Sequence, residues 1–338
     1  MRTMVAGWFS FKNMGTTAGD LISLDLACKW LDRVGHAYDV ALAPPFAGGV
    51  DWRTVDPAAY SHFVFVCGPF PDIAATRQLL RRFNHCRLVG LNLSMMEPLE
   101  AWNPFDAVIE RDSSSYSRPD LTFLSDRARV PVVGVMLVHP QPEYKDRGRH
   151  DAANAIINQL VASREMATVA IDTCLDSGGN PLRSPAEVES LIARMDVIVT
   201  TRLHGTVFAL KNGVPAIAVD PIAGGAKIRR QAETIGWPAM FCVDDLRLES
   251  LQEAFDYCLT EGARRKAKEC SERAMKMVES ARDRFIEVMN SPDLVSARSV
   301  SLDGVSEEHR PEPASPAASP ITFWQKAKYA LEKRISGR

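Results

Sequence analysis

The sequence predicts an α/β protein built from two successive parallel-sheet domains, and three observations carry the prediction. Short apolar runs alternate with helical patterns through most of the chain, the alternation restarts near residue 129, and 338 residues exceed what one hydrophobic core usually holds.

Residues 4–9 read as a first strand. After a Gly/Asn/Thr loop, residues 20–34 place Leu21, Leu24, Ala27, Leu31 and Val34 at helical spacing before Gly35, so strand, loop and helix form one unit. Further strands are expected at 38–42, 63–67, 88–91 and 107–109, and a helix carrying Ile73, Leu79, Leu80 and Phe83 precedes the run at 88–91. Apolar runs alternating with helices belong to strands buried on both faces, hence to a parallel sheet with helices on each side.

The second series starts at Pro131, with strands expected at 132–137, 167–171, 197–200 and 216–219 and helices at 150–163, 185–195 and 205–211. The expected domains are therefore 1–129 and 130–290, the second closed by one or two polar-faced helices over 246–289. Two such domains facing one another make a cleft at the carboxyl ends of their strands, the usual ligand position in open α/β sheets. From 291 to 320 the composition turns to Ser, Pro, Glu and Ala, and Pro311, Pro313, Pro316 and Pro320 exclude regular structure, as in a disordered linker. Residues 321–338 have an apolar stripe of Phe323, Trp324, Ala327, Leu331 and Ile335 flanked by Lys326, Lys328, Lys333 and Arg334. This basic amphipathic helix is expected to meet a membrane surface or a partner protein through Phe323, Trp324, Leu331, Lys326 and Lys328; docking back onto a domain is the alternative.

Composition narrows the function classes. A formal net charge of -2 supplies no global field for nucleic acid, which is not expected as a partner. Seven cysteines without a C-x-x-C pair, mostly inside apolar runs, fit buried reduced thiols in a cytosol. His85-Cys86 has no second pair at ligand spacing, its two side chains are expected to diverge, and no metal site is expected. The N-terminus lacks the organisation of a signal peptide, and the longest apolar run, 130–138, is too short to span a bilayer. A cytoplasmic protein follows as the expectation, peripheral at the inner face of the membrane if the last helix binds there.

The stretch Asp196-Val-Ile-Val-Thr-Thr-Arg-Leu-His-Gly-Thr-Val-Phe-Ala-Leu-Lys-Asn-Gly-Val-Pro215 carries the most chemistry. An apolar strand ends in a polar turn, Gly205 lets the backbone pass closely, and a short helix from Thr206 stops at Gly213 and Pro215. A helix N-terminus at a strand end offers free N–H groups and partial positive charge to an anion. Arg202 can grip a phosphate or carboxylate bidentately, and His204 can give or take a proton near neutral pH. The residues leave a plainer alternative open, in which Arg202 pairs with a structural carboxylate and His204 caps the helix.

Residues 199–220 resemble the signature of the polysaccharide pyruvyl transferases, in which an apolar strand leads to Arg-Leu-His-Gly, a helix, Gly-Val-Pro and another strand. Lys227 follows where that family carries a lysine; residues 105–116 are similar to its strand followed by Arg-Asp-x-x-Ser; and Asn13-Met14-Gly15 with Gly19-Asp20 resembles its Asn-x-Gly-Asp loop. The resemblance implies two facing Rossmann-like domains similar to the GT-B glycosyltransferases, and transfer of pyruvate from phosphoenolpyruvate to a sugar of a surface polysaccharide or its lipid-linked precursor as a ketal. It implies a donor site of Arg202, Leu203, Gly205, Thr206 and Lys227, with His204 as catalytic acid/base and no cofactor beyond the donor substrate. His139, Gly15, Asp20 and Arg111 are further candidate donor or acceptor contacts.

The chain departs from the family at Val138 and His139, where an arginine is often found; Lys145, Arg147 and Arg149 are the cations available to replace it. Two other readings stay open, a glycosyltransferase with a nucleotide-sugar donor and a non-catalytic membrane-associated member. Structural roles compete elsewhere: Asp20 as a helix cap, Arg111 as the local partner of Asp112, Trp102 and Phe105 as core filling rather than sugar platforms. His36, His62 and His309 are expected to be exposed.

Overall fold

The computed structural model describes residues 1–138, 141–176 and 180–291, so His139, His309, the linker beyond Ser291 and the stripe of Phe323, Trp324, Lys326, Lys328 and Leu331 lie outside the described residues. The chain divides into two compact units after Arg127 rather than after residue 129.

In the first unit, β1 (Arg2–Ala6), β2 (Ala37–Val40), β3 (His62–Phe70), β4 (Arg87–Met95) and β5 (Ala107–Asp112) form one parallel sheet in the order β2-β1-β3-β4-β5. Alternate residues of β1 and β3 feed two cores: Met4, Ala6, Phe63 and Phe65 pack with Leu79, Leu80 and Phe83, while Val5 and Val66 pack with Ala27. The helices over those faces are α2 (Ala74–Arg82) and α1 (Ala18–Arg33). The chain leaves β1 toward β2 and returns on the other side as β3. That reversal makes the carboxyl ends of β1 and β3 the switch point at which open sheets bind ligands.

Residues 8 and 9, expected to complete the first strand, instead belong to a 3-10 turn (Trp8–Ser10) after Gly7, held by Ser10 Oγ, which accepts from Gly7 N and donates to Ala41 O. Val34, expected on the apolar stripe of the first helix, is the exposed residue that ends α1.

The second unit repeats the plan. β6 (Val132–Met136), β7 (Ala167–Ala170), β8 (Val197–Thr200), β9 (Ala216–Asp220) and β10 (Met240–Cys242) form a parallel sheet in the order β10-β9-β8-β6-β7. Its helices are α3 (His150–Ser163), α4 (Pro185–Ile192), α5 (Leu203–Lys211), α6 (Lys227–Ile235), α7 (Leu248–Cys258) and α8 (Glu261–Asn290). The switch point lies between β6 and β8. The closing helices expected over 246–289 only partly close anything: α7 and the first turns of α8 are packed, through Leu251, Phe255, Ala263, Ala267 and Cys270. Farther along α8, Met275, Val278, Phe285 and Met289 are exposed, so hydrophobic burial stops about halfway along the helix.

Among the described residues, no helix is long and apolar enough to cross a membrane. Cys28, Cys67, Cys86, Cys242, Cys258 and Cys270 are free thiols. His85 and Cys86 do not diverge as expected, since Cys86 Sγ lies 3.5 Å from His85 Nε2; yet their bonds run to the backbone, at Tyr60 O and Pro57 O. No group of three potential metal ligands occurs among the described residues.

Candidate functional site

At the switch point of the second unit, two threonines tie the strand ends together. Thr200 Oγ1 donates to Met136 O at 3.0 Å and accepts from Arg202 N at 2.9 Å, while Thr201 Oγ1 accepts from Val138 N at 2.8 Å. Both are buried, so the turn from β8 into α5 is fixed by satisfied polar groups. Helix α5 begins at Leu203 with Arg202 as its N-cap residue, and Arg202 offers no side-chain acceptor. Thr206 N returns to Arg202 O, and the amides of Leu203, His204 and Gly205 have no acceptor among the described residues. Such amides and the helix dipole favour an anion.

Gly205 is there for close packing. A Cβ at this position would stand 2.3 Å from Thr200 Oγ1 and 3.2 Å from Met136 Cε, so only glycine lets α5 sit this close to the strand ends. Thr206 is fully buried behind it.

The side chain of Arg202 is only 11% exposed and is held from three sides. Nε donates to Leu137 O at 3.2 Å, Nη1 to Cys174 Sγ at 3.0 Å, and Nη2 lies 3.0 Å from Asp172 Oδ1. The Nη2 contact is an ion pair without hydrogen-bond alignment, so among the described residues that buried nitrogen has no aligned acceptor. The structural carboxylate that the sequence left open as an alternative therefore exists, as Asp172. His204 is not a cap: it is exposed in the first turn of α5, its ring stacked on Phe208 at 5.7 Å between centroids.

Lys227 opens α6, the helix following β9, the strand beside β8, and its ammonium lies 5.7 Å from the centre of the Tyr144 ring. The N-terminus of α6 is already occupied. Asp220, 1% exposed, accepts from Ile222 N, Ala226 N and Arg229 N at 3.2, 2.7 and 3.1 Å. Of the cations available to replace the absent arginine, Arg147 is spent bracing Ala223 O and Gly225 O, and Arg149 donates to Asp146 O.

In the first unit, Gly15, Asp20 and Arg111 come together on one cavity of about 540 Å³ at its switch point, with Trp8, Cys67, Gly68 and Asp120. Asp20, expected to cap α1, is instead its third residue and the partner of the true cap, Thr17: Oδ2 accepts from Thr17 N and Thr17 Oγ1 at 2.7 and 2.8 Å. Arg111 pairs with Asp112 as expected, and further with Asp120 at 2.9 Å and with Ser94 Oγ. Burial pushes the Asp120 carboxyl up, but the Thr122 amide, Arg111 and Asn92 outweigh it and hold it down at about 2. Burial raises the Cys67 thiol, keeping it neutral. Cys67 and Asn92 both adopt positive φ at the same level of β3 and β4, where the ladder skips from Val66–Leu91 to Gly68–Leu93 without a change of register.

The other aromatic and histidine candidates are structural. Trp102 stacks on Phe70, 5.2 Å between centroids, and Phe105 is buried beside them. His36 and His62, expected to be exposed, are half-buried against one another at 5.6 Å. Missed by sequence reasoning were Asp172, Cys174, Asp120 and the cap role of Asp220. The available signal was position: an acidic residue directly after an apolar run, as at Ile171-Asp172 and Val219-Asp220, falls on the carboxyl edge of a parallel sheet.

Two five-stranded parallel sheets, each with candidate residues gathered at its switch point, define a protein of two Rossmann-like α/β units. The model of the family polysaccharide pyruvyl transferase matches residues 18–221, and the chain belongs to that family of transferases. The match includes Asp20, Arg111 and the Arg202–Thr206 turn and stops short of Lys227. Comparison with curated proteins gives no match. Among solved structures the chain is similar to the spinosyn rhamnosyltransferase SpnG, at 13% identity over 85% of this chain and 100% of that one, with a TM-score of 0.33. It is also similar to the UDP-GlcNAc 2-epimerase of Methanocaldococcus jannaschii, at 10% identity over 83% and 99% of the chains and a TM-score of 0.31. MurG of Acinetobacter baumannii aligns at 11% identity over 83% and 99%, again with a TM-score of 0.31.

Proposed function

We propose that this protein transfers pyruvate from phosphoenolpyruvate to two hydroxyls of a saccharide, forming a ketal on a surface polysaccharide or its lipid-linked precursor. The observation that carries the reading is the α5 N-terminus, where amides with no acceptor among the described residues, the anchored Arg202 and the exposed His204 sit together in a chain of this family. By contrast the neighbouring α6 terminus already holds the Asp220 carboxylate.

In this scheme an anionic group of phosphoenolpyruvate lies against the Leu203–Gly205 amides and the Nη2 edge of Arg202, with Lys227 as a further contact. His204 donates a proton to the methylene carbon. The adjacent carbon gains positive character, and one sugar hydroxyl adds to it with loss of its proton. A second hydroxyl then displaces inorganic phosphate and closes the ketal, while the fixed cations stabilise the departing charge. The chemistry needs neither a metal nor a redox cofactor. If residues 321–338 meet the membrane, they raise the effective concentration of a lipid-linked acceptor.

A thermal-shift screen of the full chain tests the donor: phosphoenolpyruvate should stabilise it and nucleotide sugars should not. Stabilisation by a nucleotide sugar alone selects glycosyl transfer instead. His204→Ala should lose phosphoenolpyruvate consumption by about 10²–10⁴-fold, and consumption at the wild-type rate would remove His204 from the mechanism.

A further inference from the structure

The cavity of the first unit differs in chemistry from the anion-receptive α5 terminus. Its charged lining groups are Asp20, Asp120 and Arg111, and Arg111 is already shared between Asp112 and Asp120. The balance is acidic, so the cavity disfavours a phosphate or carboxylate. We propose that it is a subsite for an uncharged, hydroxyl-rich sugar ring, with Asp20 the residue that selects against anionic sugars. This deepens the reading above and rests on it only for the part the ring plays in transfer.

Three features support the assignment. Asp20 is 5% exposed, its Oδ2 is used in the first turn of α1, and its other oxygen lies at the cavity beside Gly68 and the Cys67 thiol. A carboxylate oxygen accepts more than one hydrogen bond and a thiol is a weak donor, so a ligand hydroxyl can add to that contact. Gly68, at φ +87°, makes the space: a Cβ there would stand 2.6 Å from Trp8 Cδ1 and 3.4 Å from Asp20 Oδ1. Trp8 itself is fixed by donating from Nε1 to Pro69 O at 2.9 Å, which presents a rigid aromatic edge beside the carboxylate. Arg111 spends three N–H groups on Asp112, Asp120 and Ser94, leaving the others of its five to donate to ring hydroxyls. Carboxylate acceptor, guanidinium donor and aromatic wall together suit a polyol, and about 540 Å³ lies within the size range of small-molecule sites.

The test uses the full chain without phosphoenolpyruvate, so that it reads the cavity and not turnover. Saturation-transfer NMR is recorded with uncharged methyl hexopyranosides and with the matching methyl hexuronides. Wild type should bind the uncharged rings and reject the hexuronides. Asp20→Asn should weaken the uncharged rings by about tenfold and narrow the discrimination. Because Asp20 is also the partner of the Thr17 cap of α1, Met14→Lys is a second arm: Met14 lines the cavity and is 40% exposed, so the fold tolerates the change while hexuronide binding should rise. Binding of no glycoside by the wild type, preference for hexuronides, or an unchanged preference in folded Asp20→Asn and in Met14→Lys overturns the proposal. Glycoside binding without any donor turnover would instead count against pyruvyl transfer alone.

Discussion

Replacing Gly205 with alanine tests whether the α5 amides are positioned by packing. The added Cβ would lie 2.3 Å from Thr200 Oγ1 and 3.0 Å from Thr200 Cβ. Against an ordinary contact near 3.5 Å, the shortfall is roughly 1 Å. Thr200 cannot turn away without abandoning its bonds to Met136 O and Arg202 N, so the helix must move instead. Overpacking of this kind costs about 1–3 kcal/mol, which in a unit of this size is roughly 2–4 °C in Tm per kcal/mol. Displacing the amides by about 1 Å should lower kcat/KM for phosphoenolpyruvate by on the order of 10²-fold. Urea unfolding and donor turnover measure the two effects, and Thr200→Ala in the Gly205→Ala background should recover part of the stability. If Gly205→Ala unfolds within about 0.5 kcal/mol of wild type and shows no coupling to Thr200, the packing account of this glycine is wrong.

Asp172→Asn removes the charge facing Arg202, and urea unfolding should show a loss of about 1–3 kcal/mol because one partner is largely buried and the other is not. A rise in KM for phosphoenolpyruvate larger than the fall in kcat would mark Asp172 as a positioning residue; equal unfolding midpoints would show that the pair is idle. Asp120 has a folded value of about 2, below the unfolded value near 3.9, so its contribution is full above the unfolded value and is lost as pH falls through the folded one. Asp120→Asn should therefore flatten the acid limb of stability between about pH 4 and 2, and an acid slope equal to that of wild type would refute the assignment. Leu251→Ala, at a fully buried position between α7 and the sheet, should cost about 2–5 kcal/mol in the same unfolding assay.

The sheet plan was legible because buried parallel strands leave uninterrupted apolar runs, and residues 132–136, 197–200 and 216–220 carry that mark without ambiguity. Helix α6 and β10 were not, since a charged segment with only Ile228, Ala232 and Ile235 buried and a three-residue edge strand give little periodic signal. The Arg202-to-Thr206 turn was visible in sequence, but its supports were not. Asp172 and Cys174 reach Arg202 from the loop after β7, a contact set by strand order and by no local pattern. Likewise the cavity holding Asp20 and Arg111 depends on the break in β3 and β4 at Cys67 and Asn92, where cysteine gives no sign of positive φ and asparagine only a weak one beside glycine's.

Two helices, α5 and α6, begin at the same edge of one sheet, and only one of them carries its own internal counter-ion. For a ligand with a negative charge at each end, the two helix ends are therefore not equivalent addresses: among the described residues one binds a carboxylate of this chain and the other does not. Such a ligand has a head and a tail before any side chain specific to it is considered, and the choice of which end reacts is written into the sheet edge by a carboxylate that need never touch the ligand.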